Sequence, residues 1–427
     1  MPKDSEVDPT EIVGGLALGR RVQAGEKLRP PARSDSEHEN RLVSGEAWRD
    51  FCRTLERAGE HILASDLGQD PRSLAGGFRY LLGLLPFGIQ QARELGDPDY
   101  PTFARIQDLH CKWGAENADN SYLQTHVRGD RSYRIRGERG SCMEFLIESK
   151  EGYMQFGDTR TFSTLCASEL EVGPDGSFEV IASAEEHPGN WLPLHPDARQ
   201  ITIRQYFWDW ENEQPAHFEI ECVGREGLPP EPLEARDLSR LLDDAGHWVE
   251  MTEAFWSEWF TELRENNDPQ TLAPARRYVG GADDIRYGND SYELEDDEAI
   301  VLEVEPPDAR YWHFQLCSQW FHTMDFANRS NSLNGHQLHI DTDGRCRVVI
   351  AHRDPGVPNW LDTVGDRIGM IQYRWVWTRT DPVPVLKRVR FGDIRAALPS
   401  DTPVVTPEQR REQIRVRQQN ARRRFRL

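Results

Sequence analysis

The chain has no CxxC pair, no apolar run approaching the roughly 20 residues of a membrane-spanning helix, and no excess of positive charge. Seven cysteines, an odd number without paired spacing, read as reduced cytosolic thiols rather than a disulfide frame or zinc knuckle. The opening MPKDSEVDPTE has no basic-then-apolar leader pattern, so a cytoplasmic protein without a membrane partner is expected. Lys and Arg number 51 against 72 Asp and Glu, a formal charge of −21 that speaks against a nucleic-acid partner, because phosphate neutralisation needs clustered cations. HxH, HExxH, GxSxG and P-loop patterns are missing too. No organic cofactor is expected. A divalent ion held by His313, His339 or His352 from separate strands stays open.

Against these absences stand 13 Trp, 11 Tyr and 17 Phe among 427 residues, enough large side chains for more than one core despite a mean hydropathy of −0.70. Residues 1–42, rich in Pro, Gly and alternating charge, read as a loose arm. A helical lead-in over 43–118 begins near Ser44, with Trp48, Phe51, Leu55, Ala58 and Ile62 on one stripe. A second helix from Ser73 carries Phe78, Leu81, Leu82 and Leu85 until Pro86 ends or kinks it. Within 226–286, Leu241, Ala245, Trp248, Thr252, Phe255 and Trp259 give the same rhythm.

Elsewhere the period is two. Gln205-Tyr206-Phe207-Trp208 resembles Gln372-Tyr373-Arg374-Trp375, and Asp119-Asn120-Ser121-Tyr122 resembles Asn289-Asp290-Ser291-Tyr292. Asp175-Gly176 pairs with Asp343-Gly344, and Asn190-Trp191 with Asn359-Trp360, all in one order at offsets between 167 and 170. Ordered matches at near-constant offset indicate an internal duplication. Each copy reads as strands, an Asp-Gly hairpin, an Asn-Trp turn and a closing aromatic strand. The expected fold is mixed α+β, mainly β: two antiparallel β-sandwich or jelly-roll units (119–225 and 287–392), each led by helices, and a C-terminal helix within 393–427.

The stretch His352-Arg353-Asp354-Pro355-Gly356-Val357-Pro358-Asn359-Trp360-Leu361-Asp362-Thr363, with Asp343-Gly344 before it and Arg374-Trp375 after it, resembles the bacterial family known as domain of unknown function 1214. Gln315, Trp320 and Asn334, and Tyr133 to Gly140 in the first copy, share that likeness, which spans roughly residues 70–392. The resemblance implies a β-sandwich fold and bacterial origin, with some relatives beside enzymes of small-molecule metabolism. It carries no reaction.

Five of 13 histidines (His313, His322, His336, His339, His352) fall within 313–352, whereas the corresponding segment of the first copy holds none. Histidine titrates near neutrality, which points chemistry towards the second copy. Alternation puts Tyr311, His313, Gln315, Cys317 and Gln319 on one face and Trp312, Phe314, Leu316 and Trp320 on the other. The polar face reads either as a pocket wall or as a solvated surface. His352 reads as a functional group at a strand end or as a turn cap, and Asn359 and Trp360 as turn staple and plug or as pocket lining. Arg374 needs an anionic partner: Asp325, Asp362, Asp366, or a substrate carboxylate, phosphate or sulfate.

From Pro407 onward eight Arg face two Glu, and Thr406-Pro407-Glu408-Gln409 is a sound helix start. Docking on its own chain or on a sister subunit in a homo-oligomer is expected of this helix. The reading that follows is an enzyme of the lyase, isomerase or hydrolase kind. It would act on a small, largely apolar oxygenated metabolite held between the second β unit and the helix near Trp256. His313 or His352 would carry the proton, with Asp325 and Arg374 assisting. Tyr311, Gln315, Trp320, His322, Asn334, Asn359 and Trp360 would contact the substrate. The alternatives are a non-catalytic metabolite- or carbohydrate-binding sandwich and a metal-dependent cupin-like enzyme.

Overall fold

The computed structural model describes residues 18–425 apart from 69, 94–95, 267–271, 279–280 and 283. Helices come first: α1 (Leu18–Gln23), α2 (Asp35–Val43), α3 (Glu46–Ala64) and α4 (Pro71–Arg93). The expected loose arm lies partly outside the described residues. Its remainder is ordered, because α2 starts on a Ser34–Glu37 capping box and Arg41 is clamped between Asp50 and Asp243. Local charge pairing does here what apolar periodicity could not.

Phe51, Ala58 and Ile62 of α3 are buried, but Trp48 is 58% exposed. In α4 the buried stripe is Gly77, Tyr80, Leu84, Phe87 and Gly88 rather than the stripe of Leu82, which is exposed. Close approach explains the rotation: a Cβ on Gly77 would meet the Trp320 ring at 2.7 Å, and one on Gly88 the Val249 side chain at 2.6 Å. The helix runs through Pro86 instead of ending there. The missing amide proton orphans the Leu82 carbonyl on the exposed side, where water can satisfy it.

Two β units follow. The first has β1 (Ala104–Gln107), β2 (Asn120–His126), β3 (Tyr133–Glu138), β4 (Glu144–Lys150), β5 (Thr161–Cys166), β6 (Ser177–Ser183), β7 (Trp191–Pro193), β8 (Gln200–Tyr206) and β9 (His217–Cys222). After the long helix α5 (Ala235–Glu265) comes the second, with β10 (Ile285–Glu293), β11 (Glu298–Val304), β12 (Ala309–Ser318), β13 (Ser332–Asn334), β14 (Cys346–Ala351), β15 (Trp360–Asp362), β16 (Ile368–Thr378) and β17 (Val385–Arg390). The sheets are β1-β2-β8-β4-β5 and β7-β6-β3-β9 in one unit, β10-β16-β12-β13 and β15-β14-β11-β17 in the other. Apart from the added edge strand β1, the order is identical, down to the parallel pairs β6–β7 and β14–β15. Topology therefore establishes the duplication.

Phase qualifies the sequence matches. Tyr206 faces out of its sandwich, whereas Tyr373 is in the core between the two sheets of the second unit. Tyr122 and Tyr292 differ in the same way. The letters align an odd number of residues out of step, and an odd slip moves a side chain to the opposite face. The Asn-Trp turns do correspond. Asn190 and Asn359 each donate to two backbone carbonyls and accept one amide, and Trp191 and Trp360 each donate to the end of the preceding strand. The Asp-Gly pairs make tight turns with positive φ at Gly176 and Gly344, closed by Gly173–Ser177 and Asp341–Arg345 backbone bonds and, in the second copy, by an antiparallel Ile340–Cys346 bridge; each lies where the chain passes from one sheet to the other.

The C-terminal helix α6 (Pro407–Phe425) docks on its own chain and spans both units. Arg410 pairs with Asp354 and stacks on Trp360 in the second unit, while Arg424 donates to the Ala118 carbonyl and stacks on Trp210 in the first. Phe425 completes the first core at 1% exposure. Phe425→Ala should cost about 3–5 kcal/mol through lost burial and a cavity. A denaturant midpoint indistinguishable from wild type would mean that the helix end is not part of the folded core.

Candidate functional site

The polar face of β12 is neither solvated nor a pocket wall. It is buried against residues 115–119 of the first unit. Tyr311 donates to Asp119 Oδ2 at 2.5 Å and to Asn117 Oδ1 at 3.0 Å. Gln315 bridges the Glu116 carbonyl, the Ala118 amide and Gln372. Asn334 reaches Asp119 Oδ1 and the Phe207 and Trp208 carbonyls. Asp119 also accepts from Trp210 Nε1 at 2.7 Å. Burial raises its pKa and these donors pull it back. Tyr311, Gln315 and Asn334 thus join the two units.

His313 is fully buried among them. Its Nε2 lies 3.2 Å from Arg374 Nη1, which can only donate, so the ring proton sits on Nδ1, 3.6 Å from Asp119. Burial and then the Arg374 charge hold the imidazole well below its ordinary pKa, so it is neutral. The other assigned residues lie elsewhere. His352 is held by Thr363 and the Leu294 carbonyl, Asp325 caps the turn at Asn328, and Trp320 donates to the Ser73 carbonyl beneath α4. His322 stacks on Tyr80, and Asn359 and Trp360 are the turn staple described above. His313, His339 and His352 do not assemble. Among the described residues no three His, Cys, Asp or Glu side chains group as ion ligands.

Of the assigned residues, Arg374 is the one on the wall of the chamber between the two units. This chamber, of about 190 Å³, lies between the outward faces of β2, β4 and β8 on one side and β10 and β16 on the other. Trp256 and Trp259 of α5 close it, stacked at 5.2 Å on each other, with Phe321 stacked at 5.2 Å on Trp256. Ala115 and Phe321 adopt left-handed backbone at φ 49° and 57° and are joined by an amide-to-carbonyl bond of 2.8 Å. Such strain in a bulky residue persists only where its surroundings enforce it, and it gathers at functional sites.

The chamber wall is polar in a particular way. Eight of its side-chain atoms are buried without a hydrogen-bond partner in the protein: Asn117 Nδ2, Asn120 Oδ1, Glu148 Oε1, Gln155 Oε1, Arg204 Nε, Tyr206 Oη, Trp256 Nε1 and Asn289 Oδ1. Buried polar groups are ordinarily paired, so this concentration is informative. Glu116 is also among the lining residues, its carboxyl held by Thr323. Burial pushes that carboxyl above its ordinary range against the pull of Lys112. Arg374 sits cross-strand from Tyr287 and stacks on its ring at 5.3 Å; Arg204 does the same with Tyr122 at 5.6 Å. Neither guanidinium has a carboxylate within 4 Å among the described residues, so the expected pairs with Asp325, Asp362 or Asp366 do not form.

Glu116, Arg204 and Tyr206 were not singled out in the sequence. Arg204 in Ile201-Thr202-Ile203-Arg204 reads as an ordinary outward-facing cation, because alternation assigns a face without saying what covers it.

A family model and one solved structure agree with this architecture. The model of the family described as "Protein of unknown function (DUF1214)" matches residues 122–207 and 277–376, one stretch in each β unit. The crystal structure of an uncharacterised protein from Burkholderia cenocepacia is 34% identical, with a TM-score of 0.79, over 84% of this chain and 100% of its own. The VPA0106 protein from Vibrio parahaemolyticus is 12% identical at a TM-score of 0.43, over 74% of this chain and 98% of its own. No curated protein matches. This is a protein of two repeated β-sandwich units clasped by helices. The chain belongs to the DUF1214 family.

His126 and His322 each have a pKa pushed down by burial from 6.5 to about 4. The unfolded chain therefore takes up these protons first, and stability is full above pH 6.5 and falls as pH drops towards 4. The urea midpoint should decline across that window. His322→Phe should weaken the decline by on the order of 1–3 kcal/mol, and an unchanged pH slope would remove His322 from this account.

Proposed function

We propose that this chain takes a small, largely apolar, oxygenated molecule into the chamber between its two β units and acts on it by proton transfer. The observation that carries the reading is the set of eight unpartnered polar atoms in one aromatic-walled cavity. A volume of about 190 Å³, under the usual range for drug-sized ligands, keeps the guest small. Indole and phenol rings would bury its body, and the amides and the Tyr206 hydroxyl would meet its oxygens.

Glu116 is the group suited to carry the proton, in place of the two histidines. It lines the chamber, and burial moves its pKa towards neutrality, where an acid/base group works best. The separation of His313 from His352 favours the second reading, a non-catalytic binder with the same guest. The expected cytoplasmic setting and metabolic role belong to this proposal as well. Among the described residues, no helix is long and apolar enough to cross a membrane.

Gently purified protein, denatured and analysed by small-molecule mass spectrometry, should release a compound. Asn120→Leu should reduce its yield tenfold or more, and equal yields would exclude the chamber. Glu116→Gln should cut any turnover of that compound ~10²-fold or more, and should leave a chemically different species bound, the substrate in place of the product. The same species bound to wild type and variant would favour the binder over the enzyme.

A further inference from the structure

From the same chamber we infer that Arg204 and Arg374 form one seat for an anionic group, so that the guest is an organic oxyanion: an aromatic or apolar body carrying a carboxylate or a phosphate. This rests on the chamber being a binding site and adds the charge of what binds.

The two guanidiniums come from corresponding strands, β8 and β16, of units whose outward faces oppose each other. Each is propped on the ring of the tyrosine across from it, which fixes the plane of the guanidinium; Arg204 keeps its Nε unpaired, and Arg374 gives only one proton of each Nη to His313 and Ala115, out of its five. Their fields converge: the Tyr122 hydroxyl, raised in pKa by burial, is pulled down by both. Arginine is always charged at physiological pH, and its rigid fork matches a carboxylate or phosphate.

Every direct partner of Arg374 is neutral. They are the Ala115 carbonyl at 2.5 Å, His313 Nε2 and the Tyr287 ring. His313 is kept uncharged by burial and by the Arg374 charge itself, so its Nε2 accepts from Arg374 and orients it without bringing a negative charge. Arg374 is 5% exposed, so water does not supply the missing charge either. Two acids line the same chamber. Glu116, engaged by Thr323 and Lys112, and Glu148, which accepts from Thr202 at 3.4 Å, act on Arg374 and Arg204 through space, but neither carboxylate comes within 4 Å of a guanidinium. A buried guanidinium such as that of Arg374 is costly without an ionic partner, and a second, partly buried cation on the wall of the same cavity points to an anion brought from outside.

The test is calorimetric titration of the full chain with benzoate, phenyl phosphate, inorganic phosphate and the neutral isostere benzamide. Benzoate or phenyl phosphate should bind at least tenfold more tightly than benzamide. Arg204→Gln should weaken that anion at least tenfold and leave benzamide within twofold. Preference for phenyl phosphate over both benzoate and inorganic phosphate would identify an organic phosphate as the guest class, and the reverse preference a carboxylate. The Arg204 guanidinium, unlike that of Arg374, holds no backbone carbonyl, so R204Q is the variant that keeps its fold. R374Q should show the same loss, with the circular dichroism spectrum as its folding control. Benzamide binding as well as benzoate, with R204Q indifferent to both, would overturn the anion seat while leaving the chamber as a binding site. No binding of any probe at millimolar concentration would overturn both.

Discussion

Burying the polar outward face of one sandwich against the other is the constraint on which the rest depends. Two sheets with apolar outer faces could meet in many registers. Faces carrying Tyr311, His313, Gln315 and Asn334 meet in few, because each group left unpaired would cost about 1–3 kcal/mol. Asp119 is the acceptor that settles the register. One buried carboxylate takes hydrogen bonds from Tyr311 and Asn334 of the second unit and from Trp210 of its own. The helix α6 then braces both units around it, with Arg424 on the Ala118 carbonyl next door.

The chamber exists because that pairing is incomplete. Around Asp119 the two faces interlock. Further along, towards α5, they diverge, and the polar groups of β2, β8 and β10 lose their counterparts. Trp256, Trp259 and Phe321 roof the gap, and the left-handed backbone at Ala115 and Phe321 turns the chain out of its way. His313 belongs to the interlocked part and Arg374 to its margin. A residue that looks like a proton carrier in the sequence is therefore a support for its neighbour.

Duplication supplied two sets of equivalent strands without keeping them in phase. Near-repeats such as Gln-Tyr-x-Trp occur in both copies, yet Tyr206 faces the chamber while Tyr373 fills a core. Selection for a pleated, aromatic strand preserves composition more readily than face, since both faces of these sheets end up buried. The Asn-Trp turns stayed equivalent for the opposite reason. Asn190 and Asn359 satisfy three backbone groups each, and no slipped arrangement would do so.

Local rules were enough for the helices, the strands, the two copies and the inward faces of Trp312, Phe314 and Leu316, because periodicity and turn chemistry act over a few residues. They erred where a neighbour distant in sequence decided the outcome: at α4, which glycines draw against Trp320 and Val249, and at residues 18–42, held by ion pairs to α5. Of the site they reached only Arg374, with its need for an anion, and the helix near Trp256. Arg204 and Arg374 stand 170 positions apart on strands of separate units, and alternation shows which way each points but not what it meets. Only the docking of one sheet on another brought two outward cations to the wall of one chamber, because burial and enclosure are properties of that contact and of no single segment.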